Sequence, residues 1–396
     1  MTATPERTDG QNIYEIFDYN IAYEIRLQDA LENDMLCPFV YFGVKDIEID
    51  GQLIDEKSNI SNLTSDERVK HILNKIDFYG VCNNQVRGLI FCSSKAEARE
   101  LSIKLNQHGK RTIALTGDDD INYREKVVKQ LEDGELEYIL TVDIFNEGID
   151  IPSVNQVVML RNTQSSIIFV QQLGRGLRKH KSKDYVTIID FIGNYKNNYL
   201  IPIALFGDKS MNKDNYRREL REPNILSGLT TVNFEEVAKE QIFKSITNTV
   251  LSNMKILKDA YTDLENKLGR TPMLIDHLTF DNIDPIVFFN NNSFKNYADV
   301  INKFSNKSIE LTDTEINWLS FITFELLPGK RKHELLLLKE LIKNGEVSKD
   351  KFIEILETEQ LSTKDSIISS VENGLSLQFL KSQEVKKFGT EPLVTL

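Results

Sequence analysis

Gln171, Arg175 and Arg178 lie in the run Phe169-Val-Gln-Gln-Leu-Gly-Arg-Gly-Leu-Arg-Lys. Their offsets of four and three put all three on one face of a helix expected over 166–178. Gly174 and Gly176 interrupt that helix, each at a cost of about 1 kcal/mol relative to alanine. A helix weakened twice beside two arginines points to close approach to something, and paired planar guanidiniums suit bidentate phosphate binding. The pattern also fits an amphipathic helix that ends in a solvated basic turn. A second stretch, Thr141-Val-Asp-Ile-Phe-Asn-Glu-Gly-Ile-Asp-Ile-Pro-Ser-Val, follows the end of an expected strand, where parallel sheets place ligands. There Gly148 permits tight backbone approach, Asp150 can accept from a ribose hydroxyl, and Pro152 stiffens the exit; a loop with good turn chemistry explains the same residues. Third, Thr116 and Gly117 can offer a hydroxyl and a bare backbone N–H to a nucleic-acid phosphate. Asp118 to Asp120 would repel that phosphate, so they are expected to cap the next helix instead.

These residues need a scaffold, and the sequence describes one. Apolar, β-branched runs at 86–92, 111–116, 137–142, 155–160 and 184–191 alternate with helical patterns at 95–107, 122–131 and 166–178. Gly109, Gly117 and Gly134 fall in the gaps, where helix ends and turns want them. Nearly continuous hydrophobic strands between three-turn helices mean a parallel sheet covered on both faces. Residues 64–206 are therefore expected to form a doubly wound α/β domain. Residues 1–63, with Pro38 in LCPFVYFGV, read as a segment feeding that domain. A charged stretch, NKDNYRRELREPN, places a linker at 207–230. Amphipathic patterns at 234–246, 254–268, 313–327 and 332–344 then predict a mostly helical domain over 231–396.

Composition narrows the classes. The 396 residues allow two or three domains, and 40% hydrophobic with 27% charged residues is ordinary globular usage. No apolar run approaches the ~20 residues of a membrane span, and MTATPERTDG has no signal-peptide pattern. Three cysteines without a CxxC pair point away from disulfides and a cysteine zinc site, towards a cytoplasmic chain without a membrane partner. The net charge of −12 opposes general binding to polyanions but leaves room for a local basic edge between Arg175 and Arg221. Within that edge Arg217 to Glu222 are mixed in sign, as in an exposed salt-bridged helix. The histidines lack metal spacing, and Trp318 stands at core spacing.

GLIFCSS (88–94), ALTGD, TVDIFNEGIDIPSVNQVVMLR and QQLGRGLR occur in that order on successive strands and helices. Together they resemble the second RecA-like domain of superfamily 2 helicases, the DEAD/DEAH-box and type III restriction-enzyme-like group. TATPERTDG resembles that group's motif III, matched here by Thr2 and Thr4. The resemblance implies a RecA-like sheet and ATP-driven work on DNA or RNA. It makes Arg178 the arginine finger, Arg175 its γ-phosphate partner and Gln171 the residue that orients them. It places Gly148, Asp150 and Gly174 at the nucleotide, and Ser93, Thr116, Gly117 and Thr141 at the nucleic-acid backbone. No G-x-x-x-x-G-K-S/T and no DExH box occurs in the sequence. The expectation is a fragment lacking the first RecA-like domain, needing a Walker-motif domain to bind ATP and Mg²⁺ and inactive as an ATPase alone. The other reading is a helicase-derived module that binds nucleic acid or protein without catalysis.

Overall fold

The computed structural model describes residues 12–49, 51–142, 151–162, 169–170, 172, 174, 176–221, 224–226, 230–327 and 331–375. The described residues divide into two compact units, one to Leu251 and the other from Ser252.

The first unit is built on one sheet. Its strands are β1 (Phe39–Lys45), β4 (Gly88–Phe91), β5 (Thr112–Leu115), β6 (Tyr138–Thr141), β7 (Gln156–Met159), β8 (Val186–Ile192), β9 (Asn224–Leu226) and β10 (Thr230–Phe234). β2 (Glu48–Ile49) and β3 (Gln52–Leu53) pair separately. The sheet order is β5-β6-β4-β7-β8-β1-β10-β9. Neighbours are parallel except β9 against β10. Leu89 lies opposite both Ile139 and Val157, which makes β4 an interior strand. β4, β6, β7 and β8 are buried at every position, as strands covered on both faces must be.

Helices α1 (Asp66–Tyr79) and α2 (Lys95–Gln107) cover one face, packing Val69, Ile72, Leu101 and Leu105 on Ile90, Val158 and Ile189. Local chemistry sets their starts. Ser65 and Ser94 accept from the third backbone N–H beyond them, and Asp120 does the same for α3 (Ile121–Glu132). Gly109 and Gly134 take positive φ of 85° and 79° where α2 and α3 turn back to the sheet.

Two features depart from the sequence expectation. β1 lies inside the sheet, flanked by β8 and β10, in a segment read as a connector. Pro38, just before it, supplies only its carbonyl, which accepts from Val186 N. The charged stretch after residue 206 holds α5 (Lys213–Arg221) and is followed by β9 and β10, which extend the same sheet; α4 (Leu200–Phe206) precedes it and α6 (Glu236–Asn248) follows.

The second unit is helical, including α7 (Met254–Leu268), α8 (Tyr297–Phe304), α9 (Asp313–Phe321), α10 (Lys332–Asn344), α11 (Lys349–Thr358) and α12 (Asp365–Leu375). Wider π turns continue α9 through Ile322–Leu326. Leu337, Phe352, Leu356, Val371 and Leu375 form a core among α10, α11 and α12. Trp318 is only partly buried; Phe321 beside it is fully buried.

Candidate functional site

The carboxyl ends of the parallel strands collect the residues singled out at β4, β5 and β6. Ser93 is exposed just past β4, yet its hydroxyl donates to Glu97 Oε2 at 2.6 Å, as does its backbone N–H at 2.7 Å. Thr116, past β5, is buried, and Asp119 accepts from its backbone N–H at 2.7 Å. Gly117 is exposed and its carbonyl accepts from Arg124. Thr141 ends β6 fully buried, with its hydroxyl lacking a hydrogen-bond partner. Among these groups, Gly117 and Ser93 reach the surface, and Ser93 already commits its proton to a carboxylate. Of the three aspartates, Asp120 caps α3, Asp119 serves Thr116, and Asp118 pairs with Lys95 and Arg99 at 2.5 and 3.2 Å.

Arg178 is exposed beyond residues 169, 170, 172, 174 and 176, which are helical. The two glycines of this run serve different ends. A Cβ on Gly176 would stand 3.1 Å from Val157 Cγ2 and from Val186 Cγ1, so its close approach is to the sheet. A Cβ on Gly174 would meet open space. Lys183, buried, donates through Nζ to the carbonyls of Gly176 and Val154, both at 2.6 Å. It thereby closes the helix end with a cation where the dipole favours one. Gln171, Arg175, Gly148, Asp150, Thr2 and Thr4 lie outside the described residues.

Sequence reasoning missed two buried polar clusters. Arg68, fully buried on α1, donates to Asp46 at 2.9 and 3.2 Å, to Glu97 at 2.7 Å, and to the carbonyls of Leu63 and Leu160. Burial works against its charge, but Asp46 and Glu97 outweigh that and hold it protonated. One guanidinium thus ties the ends of β1 and β7 to the Glu97 that holds Ser93. Tyr41 on β1 donates to Asp190 on β8 at 2.5 Å. Burial pushes the Asp190 carboxyl up to about 7, against the Tyr41 hydrogen bond and with Asp46 adding to the rise. Nothing local in DERVKHIL or in VTIIDF marks either cluster.

A triphosphate edge is compatible with an exposed Arg178 and an open Gly174. Among the described residues no group of three or more His, Cys, Asp or Glu could hold a metal ion. Also among the described residues, the three cysteines are free and no helix is long and apolar enough to cross a membrane.

The model of the helicase conserved C-terminal domain matches residues 67–180, the stretch that carries α1 to Arg178. That of the domain of unknown function DUF8090 matches residues 257–396, nearly all of the second unit. "Putative ATP-dependent helicase IRC3" of Saccharomyces cerevisiae is 29% identical over 202 residues, covering 49% of this chain and 29% of that protein. The "51.5 kDa protein" of a Lactococcus phage is 24% identical, covering 49% of this chain and 43% of its own. The chain thus spans less than half the length of either relative. Among solved structures, the ATP-dependent Type ISP restriction-modification enzyme LlaBIII bound to DNA aligns with a TM-score of 0.39 at 16% identity, over 94% of this chain and 29% of that one. The first unit thus contains a helicase conserved C-terminal domain over residues 67–180.

Proposed function

We propose that the chain supplies the second motor domain of an ATP-dependent helicase or translocase acting on DNA or RNA. The observation that carries this reading is that Arg178, the last residue of the Q-x-x-G-R-x-x-R sequence, is exposed just past helical Gly176, which is seated against the sheet by close packing and by Lys183. In this reading Arg178 and Arg175 meet the charge that develops on the transferred phosphoryl group, and Gln171 orients them. Gly148, Asp150 and Gly174 border the nucleotide, while the exposed Gly117 and Ser93 follow the nucleic-acid backbone, with the buried Thr116 and Thr141 shaping the strand ends beneath them. ATP, with Mg²⁺ held by a Walker-motif domain, supplies the free energy; the present chain contributes positioned cations and a backbone track.

The test is reconstitution. The chain alone is expected to hydrolyse ATP negligibly with or without single-stranded DNA. Adding a Walker-motif RecA-like domain is expected to produce nucleic-acid-stimulated turnover, and Arg178→Ala should cut it by about 10³-fold, the low end for an arginine finger. Robust turnover by the chain alone, or reconstituted turnover indifferent to Arg178→Ala, would refute the assignment. Nucleic-acid binding with no nucleotide effect in any mixture would favour a non-catalytic binding module.

A further inference from the structure

α5 (Lys213–Arg221) lies outside the helicase-domain match. Its inner face buries Tyr216 and Leu220. Its outer face carries Asp214, Arg217, Arg218 and Arg221, which line an open hollow of about 460 Å³. These are positions i, i+3, i+4 and i+7, one continuous stripe along the helix. The arginines at both ends of the stripe are held in place. Arg217 pairs with Asp214 at 3.1 Å and donates to Thr247 Oγ1 at 3.2 Å. Arg221 lies over the Phe243 ring, 5.7 Å from its centroid. Both anchors belong to α6, so the two helices run antiparallel and α6 braces the stripe.

A second carboxylate of the helix, Glu219, offsets this charge only in part. Burial, with Asp208 beside it, pushes Glu219 up to about 7, although Arg218 opposes the rise. Asp214 remains as the acidic neighbour on the face, already engaged by Arg217. In a chain of net charge −12, three guanidiniums on one helical stripe are a local reversal of sign.

We propose that the α5 stripe is a second, sequence-independent phosphate-backbone contact, separate from the strand-end track. The inference rests on the reading of the chain as a nucleic-acid motor domain. Among the described residues, those lining the hollow are all charged, whereas a peptide site would add apolar anchors. Planar guanidiniums match phosphate oxygens two at a time, and a part-ordered row of them suits a polymer with regularly repeated charge.

The experiment measures binding of a fluorescent oligo-dT strand to the whole chain by anisotropy, across about 50 to about 200 mM salt. Arg217→Gln/Arg218→Gln should weaken binding about tenfold at low salt and make the slope of log affinity against log salt shallower by about 1.4, two phosphates' worth on a single strand. Arg217→Lys/Arg218→Lys should retain most of the slope while losing part of the affinity. Melting curves report whether each variant folds. If the double variant does not fold, Arg218→Gln alone serves, because the exposed Arg218 guanidinium makes a long 3.5 Å contact to Asn215 Oδ1 within its own helix, and its slope change should be about 0.7. Wild-type binding with unchanged slope and affinity in the variants would overturn the α5 proposal and leave the motor-domain reading standing. Failure of the wild-type chain to bind any strand would overturn both. Displacement of the strand by poly-glutamate at equal charge would reassign the stripe to an acidic protein partner.

Discussion

Arg68 and Asp190 are the two residues on which burial and charge conflict most openly. Arg68 is shared between Asp46 and Glu97 with all three side chains buried. Removing one member strands a charge, so Arg68→Met should destabilise the unit by about 3–5 kcal/mol, whereas replacing all three by neutral residues of similar volume should cost less; urea denaturation separates the two outcomes. Asp190 titrates near 7 in the folded chain and near 3.9 unfolded. Because its folded value is raised, the stabilisation it brings is complete below about pH 4 and is lost as pH climbs to about 7. Asp190→Asn keeps an acceptor for the Tyr41 hydroxyl and removes the titration. Its stability should fall less than wild type across that window, by up to about 4 kcal/mol, read from denaturation midpoints at a series of pH values. Parallel profiles would contradict the assignment.

At the scale of elements, the helical positions Gly174 and Gly176 offer a contrast between two glycines. Gly176→Ala drives a methyl into Val157 and Val186 and should destabilise by about 1–3 kcal/mol through overpacking. Gly174→Ala places its methyl in open space and should gain up to about 1 kcal/mol from helix propensity. If Gly174 does border the nucleotide, the same substitution should lower turnover in the reconstituted motor while raising the melting temperature. Equal melting shifts for the two variants would show that the sheet does not discriminate between them. Lys183→Met leaves two buried carbonyls without their donor and should cost about 1–3 kcal/mol.

At the scale of the molecule, the second unit has a core of its own. The core formed by Leu337, Phe352, Leu356, Val371 and Leu375 is drawn wholly from the second unit. Residues 252–396 produced alone are therefore expected to give helical circular dichroism and a cooperative thermal transition; a non-cooperative melt would show that this core needs the first unit. The DUF8090 match begins within α7, close to the division between the units.

The alternating pattern from 86 to 191 was legible because β4, β6, β7 and β8 are buried at every position and read as mainly apolar runs. Their order in space, and the entry of β1 beside β8, depend on pairing across a long stretch of chain that no local pattern encodes. β10 is polar at Thr230, Thr231 and Asn233 and lies beyond a charged helix, so it read as part of a linker and a helical domain. At the site, the sequence determined which groups are available: two arginines and a glutamine at helical spacing, strand-end hydroxyls, and glycines. Only the tertiary structure decided which of them face outward. It sank Thr116 and Thr141, bound Ser93 to Glu97, spent Gly176 on packing, and left Arg178 exposed. The reason is physical: residue type and spacing specify what a side chain can do, but burial and hydrogen-bond partners come from segments remote in sequence.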